Sequence, residues 1–143
     1  MKRTSFLFFF ATVFVAFNAS AQAKRGSAAA TIARGQIVYK SVCLACHMAT
    51  GSGVPRLNPP LTNTTYVLGD KTALIKIVLN GFNEDVQING QSYSNTMTPH
   101  SDLTDRQIAD VLTYVRKSFG NKASSVSVAE VKKARAGNVN IGK

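Results

Sequence analysis

Cys43-Leu44-Ala45-Cys46-His47 restricts this chain more than any other feature, because the spacing C-x-x-C-H sets two thiols and an imidazole on a single turn. Cys43 and Cys46 are the only cysteines of the sequence and stand three positions apart, so no disulfide framework can staple the fold. The pattern is the attachment sequence of a c-type haem. Two thiols at this spacing can add to the two vinyl groups on one side of a porphyrin, while the adjacent imidazole comes under the iron as its proximal ligand. Two other chemistries compete. A dithiol redox site shares the C-x-x-C nucleus but has no use for His47, and it belongs beside a βαβ pattern that the sequence lacks. A zinc site needs a fourth ligand, and His100 is the only histidine outside the motif.

The far face of an iron held by His47 needs a ligand from distant sequence. Met48, Met97 and His100 are the candidates once the N-terminal segment is set aside. Met48 adjoins His47 and cannot reach the opposite side of the ring. Met97 stands in Ser94-Asn95-Thr96-Met97-Thr98-Pro99, a polar, irregular stretch with no apolar periodicity to bury it as a core filler. Its soft thioether suits iron. His100 reads as a surface histidine at the approach to a helix.

The N-terminus predicts export. Lys2 and Arg3 precede an almost unbroken apolar run from Phe6 to Phe17, and Ala19-Ser20-Ala21 and Ala21-Gln22-Ala23 offer small residues at cleavage spacing. Residues 1–23 are therefore expected to be a signal peptide, cleaved after Ala21 or Ala23, with the mature chain in a periplasm. The run is shorter than the roughly 20 apolar residues of a membrane span, so no anchor is expected after cleavage. Six of the 8 phenylalanines leave with it and the chain has no tryptophan. The core that remains is thin, which makes a buried cofactor physically attractive. Loss of Lys2 and Arg3 also lowers the formal charge from +10. Much of the remainder sits at the two ends, and no aromatic residues interleave the basic ones, so nucleic acid is not expected as a partner.

Residues 24–31 read as a flexible leader, followed by a first helix from Ile32 to Ser41 that runs into the cysteine pair. From Met48 to Gly69 the chain is rich in Gly, Pro, Asn and Thr and predicts an Ω-like loop long enough to wrap a bound group. Asp70 caps a helix over Lys71 to Asn80, with Leu74, Ile77 and Val78 on one face and Gly81 as a left-handed stop. Val86-Gln87-Ile88 and Gln91-Ser92-Tyr93 flank Asn89-Gly90, a type I′ hairpin signal. Thr104 and Gln107 form a capping box, stapled by Leu103 and Ile108, for a helix from 105 to Phe119 with Val111, Leu112 and Val115 on its buried stripe. A second box at Ser127 and Glu130 starts a shorter helix that Gly137 ends. The organisation expected is a domain over 32–121 and a C-terminal extension over 122–143.

With these residues in place, the sequence resembles the class I cytochromes c, in particular small bacterial monohaem cytochromes and the cytochrome domains of periplasmic dehydrogenases and reductases. The resemblance runs over about residues 33–135. Gly35 and Tyr39 match the first-helix glycine and aromatic of that family, and Cys43 to His47 match the haem site. In Asn58-Pro59-Pro60-Leu61 the match implies that the Pro59 carbonyl accepts the proximal histidine's ring N–H and that Leu61 packs on the porphyrin. Met97 corresponds to the distal ligand, although Thr98 stands where the family commonly has proline. The resemblance implies an all-α cytochrome c fold of about four helices around one haem c, bound covalently through two thioethers, with a short β-hairpin before the distal ligand. It further implies a monomeric one-electron carrier rather than an enzyme. Its partners would be redox proteins such as a periplasmic dehydrogenase, a reductase or a terminal oxidase. Two rivals stay open: a cytochrome subunit held in such a complex, and a five-coordinate haem sensor or peroxidase-like protein.

Overall fold

The computed structural model describes residues 27–138. Internal contacts divide the chain into two units, residues 1–31 and 32–143. The signal peptide expected over 1–23, the start of the leader and the last five residues lie outside the described residues. Residues 27–31, expected as the end of a flexible leader, are helical instead. Ser27 is followed by three alanines, the best helix formers, and the Thr31 hydroxyl donates to the Ser27 carbonyl at 3.0 Å.

In the second unit, α1 covers residues 32–47 and so extends beyond the expected end at Ser41. It changes wind on the way: Tyr39–Cys43 form a π-turn, closed by the Leu44 N–H on the Tyr39 carbonyl, before Leu44–His47 resume an α-helix. Such turns are rare and recur at functional sites. The following loop is not free of regular structure, because it holds a one-turn helix, α2, over Thr65–Leu68. The Thr64 side chain caps it by accepting from the Val67 N–H at 3.2 Å. Its residues, Thr-Tyr-Val-Leu, favour strands, and that masked it in the sequence.

Helix α3 spans Lys71–Asn80, and Asp70 Oδ1 accepts from the Ala73 N–H at 2.7 Å as its cap. Two faces of α3 are covered. Leu74, Ile77 and Val78 line a cavity, while Ile75 and Leu79 are buried in the core away from it. Gly81 ends the helix with φ 74° and ψ −172°, which is not the left-handed helical stop expected but a conformation open essentially to glycine alone. Strands β1 (Val86–Ile88) and β2 (Gln91–Tyr93) pair antiparallel with Val86 opposite Tyr93. Asn89 and Gly90 turn between them at φ 53° and 77°.

Helix α4, Asp105–Lys117, carries the expected capping box, with both Thr104–Gln107 bonds made. It stops before Phe119, which adopts φ 58° and turns its ring onto those of Tyr39 and Tyr114, at centroid distances of 5.3 and 5.5 Å. Tyr39 and Tyr114 stand 5.4 Å apart, so the three rings form one cluster. Here α1 crosses α4 closely. A Cβ on Gly35 would clash with the Asp110 carbonyl oxygen and stand 2.7 Å from Tyr114 Cβ. Next to the crossing, Arg34 forks onto the buried Asp110 carboxylate at 2.6 and 3.0 Å.

Helix α5, Val128–Asn138, begins at the Ser127–Glu130 box and packs on α3 and α4. It is not an appendage, as an extension would be. Val126, Val131 and Ala134 belong to the same buried cluster as Ile75, Ile108 and Leu112. The Lys71 ammonium donates to Glu130 at 2.9 Å. Arg135 donates to Asp105 at 2.8 Å and to the carbonyls of Ser101 and Leu103 at 2.9 and 2.7 Å. No helix among the described residues is long and apolar enough to cross a membrane.

Candidate functional site

A cavity of about 250 Å³ opens between α1, the loop after it, α3, the hairpin and α4. Every site residue singled out in the sequence lines it: Cys43, Cys46, His47, Pro59, Leu61 and Met97. Apolar side chains supply most of the wall, including Val67, Leu74, Val78, Leu103, Val111 and Leu112.

His47 is buried at 9% exposure, and its Nδ1–H donates to the Pro59 carbonyl at 3.0 Å. That bond fixes the ring and the tautomer and leaves Nε2 as the basic nitrogen. Among the described residues, Nε2 has no hydrogen-bond partner. The His47 pKa is lowered, chiefly by burial, with the Pro59 bond opposing and nearby His100 adding to the fall, so the imidazole is neutral and fit to ligate. Cys43 and Cys46 are unpaired thiols, the first half-buried and the second exposed. Burial pushes the Cys43 thiol up to about 11, with Cys46 adding to the rise.

Met97 is half-buried and bound through its backbone to Phe82, with the Met97 N–H on the Phe82 carbonyl at 2.7 Å and the reverse bond at 2.9 Å. A Cβ on Gly81 would clash with the Met97 carbonyl oxygen and stand 2.9 Å from Pro99 N. Gly81 therefore does more than end a helix: it lets the Met97 segment lie against the end of α3. His100 is not the surface histidine expected. It is half-buried, lines the cavity, and its N–H donates to the Val78 carbonyl at 2.9 Å.

Sequence reasoning did not find the walls contributed by Tyr66, Phe82, Val86, Ile88 and Tyr93, or the pair Asn58 and Asn95. The alternation of Val86 and Ile88 was the signal available for one buried hairpin face. A buried imidazole with an unclaimed nitrogen, two thiols on the same wall and a thioether on a separate segment are the donor set of a haem with His and Met axial ligands. The residues present fit that group.

Comparison with known proteins agrees. The sequence model of the family described as cytochrome c matches residues 32–119. The chain belongs to the cytochrome c family. This cytochrome is 29% identical over 120 residues to cytochrome c-552 of Thermus thermophilus, covering 78% of this chain and 80% of that one. It is 34% identical over 105 residues to the cytochrome c subunit of alcohol dehydrogenase (quinone) from Gluconobacter oxydans, covering 71% of this chain and 22% of the subunit. It is 33% identical over 125 residues to the fructose dehydrogenase cytochrome subunit of Gluconobacter japonicus, covering 83% of this chain and 26% of that subunit. The cytochrome thus spans about a quarter or less of these dehydrogenase subunits and most of the small cytochrome. Membership makes it an electron-transfer protein with covalently bound haem c. Helix α5 lies beyond the matched residues.

Proposed function

We propose that this protein is an exported, periplasmic, monomeric carrier of single electrons, with one haem held by Cys43, Cys46, His47 and Met97. The observation that carries the reading is the convergence of these four side chains on one apolar cavity. The Cys43 and Cys46 thiols would each add S–H across a vinyl C=C bond to give a thioether. His47 would ligate through Nε2 while Pro59 holds its ring, and Met97 would supply the second ligand from its own segment. Leu61 would pack on the ring face. When bound, the group supplies an Fe(II)/Fe(III) couple. Were His47 and Met97 both ligands, the iron would keep no open place for a substrate, and the neutral thioether and apolar walls would favour the reduced state.

Oxidised and reduced visible spectra of protein matured with haem-attachment machinery test the reading. Sharp reduced bands and a weak far-red sulfur-to-iron band in the oxidised protein are expected. A high-spin spectrum that changes on adding carbon monoxide would support a five-coordinate sensor or peroxidase-like protein instead.

A second reading is favoured by the names of the relatives, several of which are cytochrome subunits of alcohol, fructose and gluconate dehydrogenases. In it, the protein receives electrons as the cytochrome subunit of such a complex. Co-purification with a larger redox enzyme would support that arrangement, and a free monomer after gel filtration of the native extract would support the carrier.

A further inference from the structure

The loop 53–60 serves both sides of the cavity. Its Pro59 carbonyl holds His47 at 3.0 Å. The neighbouring Asn58 accepts, through Oδ1, a hydrogen bond from Asn95 Nδ2 at 2.6 Å, and the Leu57 carbonyl accepts from the Asn95 N–H at 3.3 Å. Asn95 stands two residues before Met97. Asn58 is a firm base: it is 8% exposed, and its backbone exchanges two bonds of 2.9 Å with Val54. Asn95 is exposed and has no such support of its own. Downstream, the Met97 backbone is pinned to Phe82. The upstream half of the segment, residues 94–96, is held to the fold by Asn95.

We infer that the Asn58–Asn95 hydrogen bond is a clasp that positions Met97, joining the loop that orients His47 to the segment that carries the second ligand. The inference rests on Met97 ligation. Cutting the clasp leaves the buried Asn58 Oδ1 without its donor, which costs more than the mean worth of a hydrogen bond. It also leaves residues 94–96 tied to the loop only by the long Asn95 N–H bond to the Leu57 carbonyl, so Met97 yields more readily to a competing ligand. Asn58 and Asn95 are positioning residues, with no contact to the iron.

Imidazole titration of the ferric haem-loaded protein reads this directly. Asn95→Ala and Asn58→Ala are each expected to raise imidazole affinity about tenfold, the scale of one lost hydrogen bond with a stranded partner. The double variant should exceed neither single one, and the far-red band should weaken. Val131→Ala, which opens the core away from the Met97 segment, should lower the urea midpoint without raising imidazole affinity, which separates positioning from general destabilisation. Asn95→Leu keeps the bulk and loses both donor and acceptor, and should match Asn95→Ala even if Asn58→Ala fails to fold. Wild-type affinity in Asn95→Ala and Asn95→Leu, or effects that simply add in the double variant, would overturn the clasp. A wild-type protein that binds imidazole as readily as Met97→Ala would instead overturn Met97 ligation.

Discussion

His47 commits one ring nitrogen to Pro59 and keeps the other for the cavity, so a single carbonyl decides which nitrogen is basic. Among the described residues, Met97 has no comparable partner at its sulfur. Its place is set by the Phe82 pairing and by the absence of a side chain at Gly81. Met97→Ala should leave haem attached through Cys43 and Cys46 while lowering the reduction potential by on the order of 100 mV or more and admitting external ligands to the iron. Redox titration checks this, and an unchanged potential would remove Met97 as the ligand. At this scale the sequence was informative wherever chemistry is contiguous: Cys43, Cys46 and His47 announce themselves. Met97 emerged by elimination, and Pro59 and Leu61 from resemblance. Asn58 and Asn95 stand in the segments noted for Pro59 and Met97, but their pairing was hidden because it spans 37 positions.

Elements specified by local rules appear where their signals stand. The Asp70 cap, the Asn89-Gly90 turn and the boxes at Thr104 and Ser127 each involve residues within four positions, so their geometry is written in consecutive letters. The end of α4 at Lys117 depends instead on Phe119 turning back to Tyr39, far away in sequence. The packing of α5 was equally hidden, since Val128, Val131 and Ala134 make a narrow stripe among charged neighbours. At the α1–α4 crossing the backbones leave no room for a side chain at Gly35. Gly35→Ala places a methyl group against backbone at Asp110, where no rotamer can relieve it. We expect a loss of about 3 kcal/mol, measured by urea unfolding of the haem-loaded protein.

Across the whole molecule, α5 closes the fold by fastening onto the first turn of α3 and the segment ahead of α4. Its acidic anchor makes that closure sensitive to pH. The Ser127 backbone N–H, and then Lys71, hold the Glu130 carboxyl down at about 2 against an ordinary value of 4.5. Because the folded-state value is the lower one, the stability from these contacts is complete above about pH 4.5 and drains away as pH falls towards 2. The thermal midpoint should therefore decline through that window. Glu130→Gln should melt lower at neutral pH and lose less on acidification. Equal acid sensitivity in the two proteins would show that Glu130 does not anchor α5. The effect is modest, since Lys71 and Glu130 are both partly exposed to solvent.

The π-turn at Tyr39–Cys43 makes attachment a matter of helical phase as well as of chemistry. Each residue of an α-helix advances the direction of the next by about 100°, and the wider π-turn takes up one extra residue, so His47 keeps its bearing relative to Gly35 and the α4 crossing. Inserting one alanine between Ile37 and Val38 would keep every letter of C-x-x-C-H and add a residue that the π-turn does not absorb. It would turn the motif by more than a quarter revolution away from the cavity, and haem content per chain should collapse, whereas deleting Ser41 should restore a plain α-helix and leave the motif facing the cavity. The pentapeptide is thus necessary without being sufficient: the same five residues one step out of phase would face the wrong way.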